Sequence, residues 1–198
     1  MKRREDNSSM TIEHQILEDC EKLRLLSKEL EKTALNYAAE HRSEIETVQL
    51  RNIGEYVPPV FIQNFRGHMT SAMVLYIQGT LDFWLPRVIK FLGEKYDIKY
   101  SDRGKNGYLE WSKKVVSTEF CLSYDFGTKN YNRLTRLGKI RNDETHNGGF
   151  VSESNWHLPP EPGIESSMNL YYIRFEYCQD IINVSQQYLI DLINAPKI

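Results

Sequence analysis

The hydrophobic positions of the chain fall into blocks separated by polar, turn-forming stretches. Over residues 11–50, Ile16, Leu23, Leu30 and Tyr37 recur every seven positions, with Cys20, Ser27 and Ala34 between them. This spacing draws one stripe along a long helix. Two packings suit it: along a partner helix or a second copy, or onto the chain's own core. Thr11, Ser8 or Ser9 can cap its start. Residues 52–59 end it, because Gly54 and Pro58-Pro59 do not continue a helix. Residues 60–96 are the most apolar and predict a central core helix, kinked or divided at Pro86, with Ile77, Thr80, Leu81 and Trp84 on one stripe. A polar loop, 97–107, leads into a helix over 108–124 with Leu109, Val115, Val116 and Leu122 turned inward. A basic helix over 129–144 follows. A long loop, 147–166, precedes a closing helix over 167–194, on which Leu170, Ile173, Tyr177, Ile181, Val184, Tyr188 and Leu192 keep helical spacing. The pattern predicts an all-α, single-domain bundle of about five helices, with residues 1–10 a disordered lead-in and 58–194 the core bundle.

Composition adds a class and a charge map. The 198 residues, 40% hydrophobic and 26% charged with a mean hydropathy of −0.54, suit one soluble domain. No apolar run approaches the roughly 20 residues of a membrane span. The polar N-terminus does not read as a secretory signal. Three widely spaced cysteines, Cys20, Cys121 and Cys178, read as small buried hydrophobes in a reducing, cytoplasmic compartment. The net charge of −2 hides a segregation: residues 86–141 hold thirteen Lys or Arg against six Asp or Glu. Residues 142–198 hold two against eight. The basic segment either draws a polyanion towards its end or simply solvates helix faces.

That basic segment ends in Lys139-Ile140-Arg141-Asn142-Asp143-Glu144-Thr145-His146-Asn147-Gly148-Gly149. At about 100° per residue, Leu134, Leu137 and Ile140 share a face, and Arg141 falls between Leu134 and Leu137. An inward guanidinium calls for a phosphate, a carboxylate or a partner chain. His146 would point about 140° from Arg141 on a continuing helix. Asn147-Gly148-Gly149 predicts a stop of the left-handed kind, which would swing His146 with the terminal turn.

Arg141, Asn142 and His146, at the end of a helix in a small helical protein, resemble the HEPN superfamily, whose hallmark is an arginine, a polar residue and a histidine after four to six intervening positions. The order of the flanking helices extends the resemblance over residues 58–194. It implies a metal-independent endoribonuclease without a cofactor, in a homodimer that joins two copies of the motif in one cleft. It also implies a toxin, antiviral-defence or stress role, with an antitoxin or defence-system protein as partner. The tyrosine that some toxin members carry two positions after the histidine is Gly148 here. The non-catalytic alternative is an RNA-binding or protein-interaction scaffold.

The residue types suit the chemistry. RNA supplies its own nucleophile, the 2′-hydroxyl, so cleavage needs proton transfer, for which His146 is suited, and a clamp on the phosphorane, for which Arg141 is suited. Asn142 can orient the histidine or hold a phosphate oxygen. Gln78 and Asp82 of the core helix, with Asp143 and Thr145, are supporting candidates. Asp143 and Glu144 raise the histidine pKa or, in the inactive reading, pair with Arg141. Arg133, Arg136, Lys139, Arg103 and Lys105 are the candidate RNA contacts. Trp156 and His157 stack on a base or fold back as an anchor. No metal-ligand spacing, P-loop or Gly-x-Ser-x-Gly elbow is present. Asp125-Phe126-Gly127 reads as a turn.

Overall fold

A computed structural model describes residues 5–42, 60–147, 151–152, 161–167 and 170–198. Among the described residues, five α-helices dominate: α1 (Glu5–Glu40), α2 (Val60–Tyr96), α3 (Tyr108–Lys114), α4 (Lys129–His146) and α5 (Phe175–Asn194). The fold is all-α, as the hydrophobic pattern predicts. The core is one cluster in which α1, α2, α4 and α5 bury their stripes, including Ile16, Met73, Ile77, Leu81, Leu134, Leu137, Ile181 and Leu192. Polar ties fix the α1 register. Trp84 Nε1 donates to Asp19 at 3.2 Å, and Arg24 donates to Asn183 and Gln186 of α5 at 3.0 and 2.5 Å. The seven-residue stripe of α1 is therefore spent on its own core.

Several boundaries depart from expectation. Helix α1 already begins at Glu5, so part of the expected lead-in is helical and Thr11 is no cap. The expected helix beyond residue 42 and the break at 52–59 lie outside the described residues. Helix α2 runs unbroken through Pro86. Beyond α3 the backbone winds one π-helical turn, Val115–Glu119, in which Phe120 N–H reaches Val115 O at 2.9 Å; the expected helix to 124 stops there. Residues 164–173 are not helical but an antiparallel hairpin, β1 (Ile164–Ser167) and β2 (Leu170–Ile173), pairing Ile164 with Ile173. Gly163 feeds it at φ +79, where an added Cβ would lie 2.8 Å from Tyr177 Cβ. Cys20 and Cys178 are buried, and burial pushes their thiols up to about 11 and about 12; Cys121 is exposed, against expectation.

The element that carries the motif is well defined at its start. Thr128 Oγ1 accepts from Tyr131 N at 3.3 Å, an N-cap, after a turn in which Asp125 Oδ1 accepts from Gly127 N at 2.7 Å. Among the described residues, no helix is long and apolar enough to cross a membrane.

Candidate functional site

Between α2, α4 and the start of α3 lies a cleft of about 440 Å3. Gln78 and Asp82 of α2 form one side, Gly138, Lys139, Arg141 and Asn142 of α4 another, and Arg103, Tyr108 and Glu110 close it. Gly138 faces Gln78 across α2 and α4: a Cβ there would sit 3.9 Å from Gln78 Oε1, an ordinary contact distance. Glycine inside a helix costs about 1 kcal/mol relative to alanine, so this position has a local cost.

Arg103 reaches the cleft through a braced loop. Asp97, at φ 53, ends α2 in the left-handed conformation, with Ile98 N–H reaching Gly93 O at 2.9 Å. Ser101 then donates from its N and Oγ to the two Glu119 oxygens at 2.6 and 2.5 Å, and its carbonyl accepts from Trp111 Nε1 at 2.9 Å. The π-helical turn carries Glu119 to this brace. The Arg103 guanidinium lies 4.4 Å from the centre of the Tyr108 ring, with Nη1 donating to Asn106 O at 2.5 Å.

Gln78 Nε2 donates to Asp82 Oδ1 at 2.9 Å. Burial pushes the Asp82 carboxyl above its ordinary value, against the Gln78 hydrogen bond and the fields of Arg141 and Arg103. A raised carboxyl binds its proton more tightly in the folded chain. That stability is complete below the unfolded value, about pH 4, and is lost as pH rises through the higher folded value. Glu144, half-buried and hydrogen-bonded to Ser71, is raised by burial in the same sense. We expect Asp82→Asn to flatten the fall of the melting temperature across mildly acidic pH, and Asp82→Asn with Glu144→Gln to flatten it further. A profile identical to wild type in both would remove these groups from the account.

Arg141 is half-buried at the cleft edge. Its Nη1 donates to the adjacent Asn142 Oδ1 at 3.0 Å, and among the described residues no carboxylate lies within ion-pair distance of it. A guanidinium so placed keeps most of its donors for a ligand.

Neither family models nor curated proteins nor solved structures match the chain.

His146 departs from expectation. Helix α4 continues through it, and Asn147 caps at φ −115 with its N–H on Asp143 O at 2.9 Å, without a left-handed turn. Arg141 and His146 thus stay about 140° apart around the axis and about 7.5 Å apart along it. The histidine is exposed and outside the cleft, one turn beyond Asn142 on the same solvent face.

Asp143 neither pairs with Arg141 nor faces His146. It is 3% exposed and accepts from Asn147 Nδ2 at 3.0 Å, Tyr171 OH at 3.1 Å and Ser152 N at 3.3 Å, which ties the end of α4 to β2 and to residue 152. Asp143→Ala is expected to lower stability by about 3 kcal/mol, since buried donors lose their acceptor; a urea melt showing under about 1 kcal/mol would refute this role. Thr145 spends its hydroxyl on Arg141 O at 2.7 Å and exposes no functional group to the cleft.

Arg133 and Arg136 are not the exposed RNA contacts expected. Both guanidinium-bearing side chains are 12% exposed; Arg133 pairs with Glu161 and, at 2.7 Å, with Asp180, and Arg136 Nε lies 3.6 Å from Glu161. Lys139 and Arg103 do line the cleft, whereas exposed Lys105 does not. Trp156, His157 and Gly148 lie outside the described residues. Sequence reasoning missed Tyr108, Glu110 and Gly138. The available signals were an aromatic directly after the basic glycine loop and a glycine in the middle of a polar helix.

Among the described residues, no three His, Cys, Asp or Glu side chains gather as a metal ion requires.

Proposed function

We propose that the protein is a metal-independent endoribonuclease of the HEPN type, acting as a homodimer in the cytoplasm. The observation that supports it most is Arg141, a half-buried guanidinium on a cleft, with no carboxylate partner among the described residues and with Lys139 and Arg103 beside it. In this reading a phosphodiester takes the place of the missing carboxylate. The 2′-oxygen of the RNA attacks the adjacent phosphorus and loses its proton to His146. The bond to the 5′-oxygen breaks, and that oxygen receives a proton. Products are a 2′,3′-cyclic phosphate and a 5′-hydroxyl. Arg141 holds the charge that builds on the non-bridging oxygens of the phosphorane. Within one chain His146 points away from Arg141, so the histidine of a second copy completes each site.

The test is cleavage of total RNA in EDTA, followed by complementation. Arg141→Ala and His146→Ala chains are each inactive alone. Mixed under exchange, they form dimers of which half contain one intact site, so about a quarter of wild-type activity returns. No recovery, with mixed dimers verified, would refute the shared site. Binding of RNA without cleavage would favour the second reading, a non-catalytic RNA-binding module, which the position of His146 outside the cleft also suits.

A further inference from the structure

The floor and the rim of the α2–α4 cleft differ in hydrogen-bonding character. On the floor, Gln78 is 8% exposed, and its Oε1 is buried with no hydrogen-bond partner. Its amide nitrogen is committed to Asp82 Oδ1, and only the NH2 end can face that carboxylate, so the orientation of the amide is set. The groups left over on the floor are therefore acceptors, the Gln78 carbonyl and the second Asp82 oxygen. Leaving a buried carbonyl unpaired is unfavourable, and such an atom inside a cleft marks a place for a ligand's donor. On the rim stand the cations Arg141 and Lys139, and Arg103 over the Tyr108 ring supplies a planar cationic wall.

We propose that this floor is a base-reading pocket for guanine, with Gln78 Oε1 and the Asp82 carboxylate accepting from the N1–H and N2–H2 of the base while it stacks on the Arg103–Tyr108 wall and its phosphate meets Arg141. Among the RNA bases, guanine presents two adjacent donors on its Watson–Crick edge. Adenine and cytosine each set a ring acceptor beside their amine, which would face another acceptor here. Uracil has one donor between two carbonyls. Stacking on aromatic rings or on arginine planes is the ordinary way in which proteins hold an unpaired base. At Gly138 no side chain stands over Gln78, whose Oε1 would lie 3.9 Å from a Cβ there.

The proposal rests on the reading of the cleft as an RNA site, and nucleotide binding separates the two. Guanosine 3′-monophosphate, inosine 3′-monophosphate and the 3′-monophosphates of adenosine, cytidine and uridine are titrated into the full chain by calorimetry. Guanosine is expected to bind about tenfold or more tightly than the other three standard bases. Inosine, which lacks the N2 amine, should lose most of that margin, and this comparison needs no variant. Gln78→Leu, checked for fold by circular dichroism, should abolish the preference while leaving the residual, phosphate-driven affinity. Equal affinities, a full preference for inosine, a preference that survives in folded Gln78→Leu, or no nucleotide binding at all would each overturn the proposal. If guanosine is preferred and RNA is not cut, the nuclease reading fails and the pocket stands. If RNA is cut by Arg141 without preference at guanosine, the reverse holds.

Discussion

If the cleft is the proposed ribonuclease site, Arg141→Ala is expected to lower the rate of RNA cleavage in EDTA by about a hundredfold to a thousandfold, the loss typical when a charge-stabilising donor is removed from such a site. Stability changes little, because the guanidinium makes one hydrogen bond, to the neighbouring Asn142, and no ion pair with a described carboxylate. The melting temperature should therefore stay within about 4 °C of wild type, since a change under about 1 kcal/mol moves a domain of this length by no more than that. Arg141→Lys keeps the charge and loses the two-pronged fork, so it should recover only part of the rate. Lysine restoring full activity would argue for a simple electrostatic role. Undiminished cleavage by the alanine variant would end the nuclease proposal at this cleft.

Glu161→Ala is the variant with the largest expected effect on stability. Its carboxylate is 8% exposed and stands between Arg133 and Arg136, each 12% exposed. Removing it takes a shared carboxylate from two largely buried guanidinium groups; among the described residues Asp180 still pairs with Arg133. Breaking a buried ion pair by removing one partner costs about 3–5 kcal/mol. For a chain of this size that corresponds to a fall in melting temperature of roughly 10 °C. Replacing the cations as well, with Arg133→Met and Arg136→Met in the Glu161→Ala background, should recover much of the loss, because an apolar replacement of a buried ion group is often tolerated. A loss below about 1 kcal/mol in Glu161→Ala would show that the cluster is solvated. Held in this cluster, Arg133 and Arg136 are not expected to set the salt dependence of any RNA binding.

How much of this was legible in the sequence depends on the range of the interactions. Helix α4 was readable because Leu134, Leu137 and Ile140 keep the helical period; its Thr128 cap emerged only from the structure. The partners of Arg133 were not, since Glu161 and Asp180 lie 28 and 47 positions further along and no local pattern links them. The hairpin was mistaken for helix because Leu170 and Ile173 also fit a 3.6-residue period. The competing signal was the alternation of half-buried Tyr171, exposed Tyr172 and buried Ile173, a two-residue period rich in aromatic and β-branched residues. For His146 the glycines after Asn147 suggested a left-handed stop, yet Asn147 closes the helix with an ordinary backbone bond to Asp143. Gln78 and Asp82 were visible as a pair one turn apart; that the amide would be buried with a free carbonyl required the packing of α4 against α2.

The seam between α1 and α5 has a consequence in time. Arg24 meets Asn183 and Gln186 across 159 and 162 positions of chain. Polypeptide leaves the ribosome at about 5–20 residues per second, so α1 emerges roughly 10–30 s before the helix that covers it. During synthesis α1 can pack on α2 before α5 exists, and the surface it later gives to α5 stays open until that helix is made. A chaperone that shields that surface of α1 would act as a stand-in for a helix not yet translated.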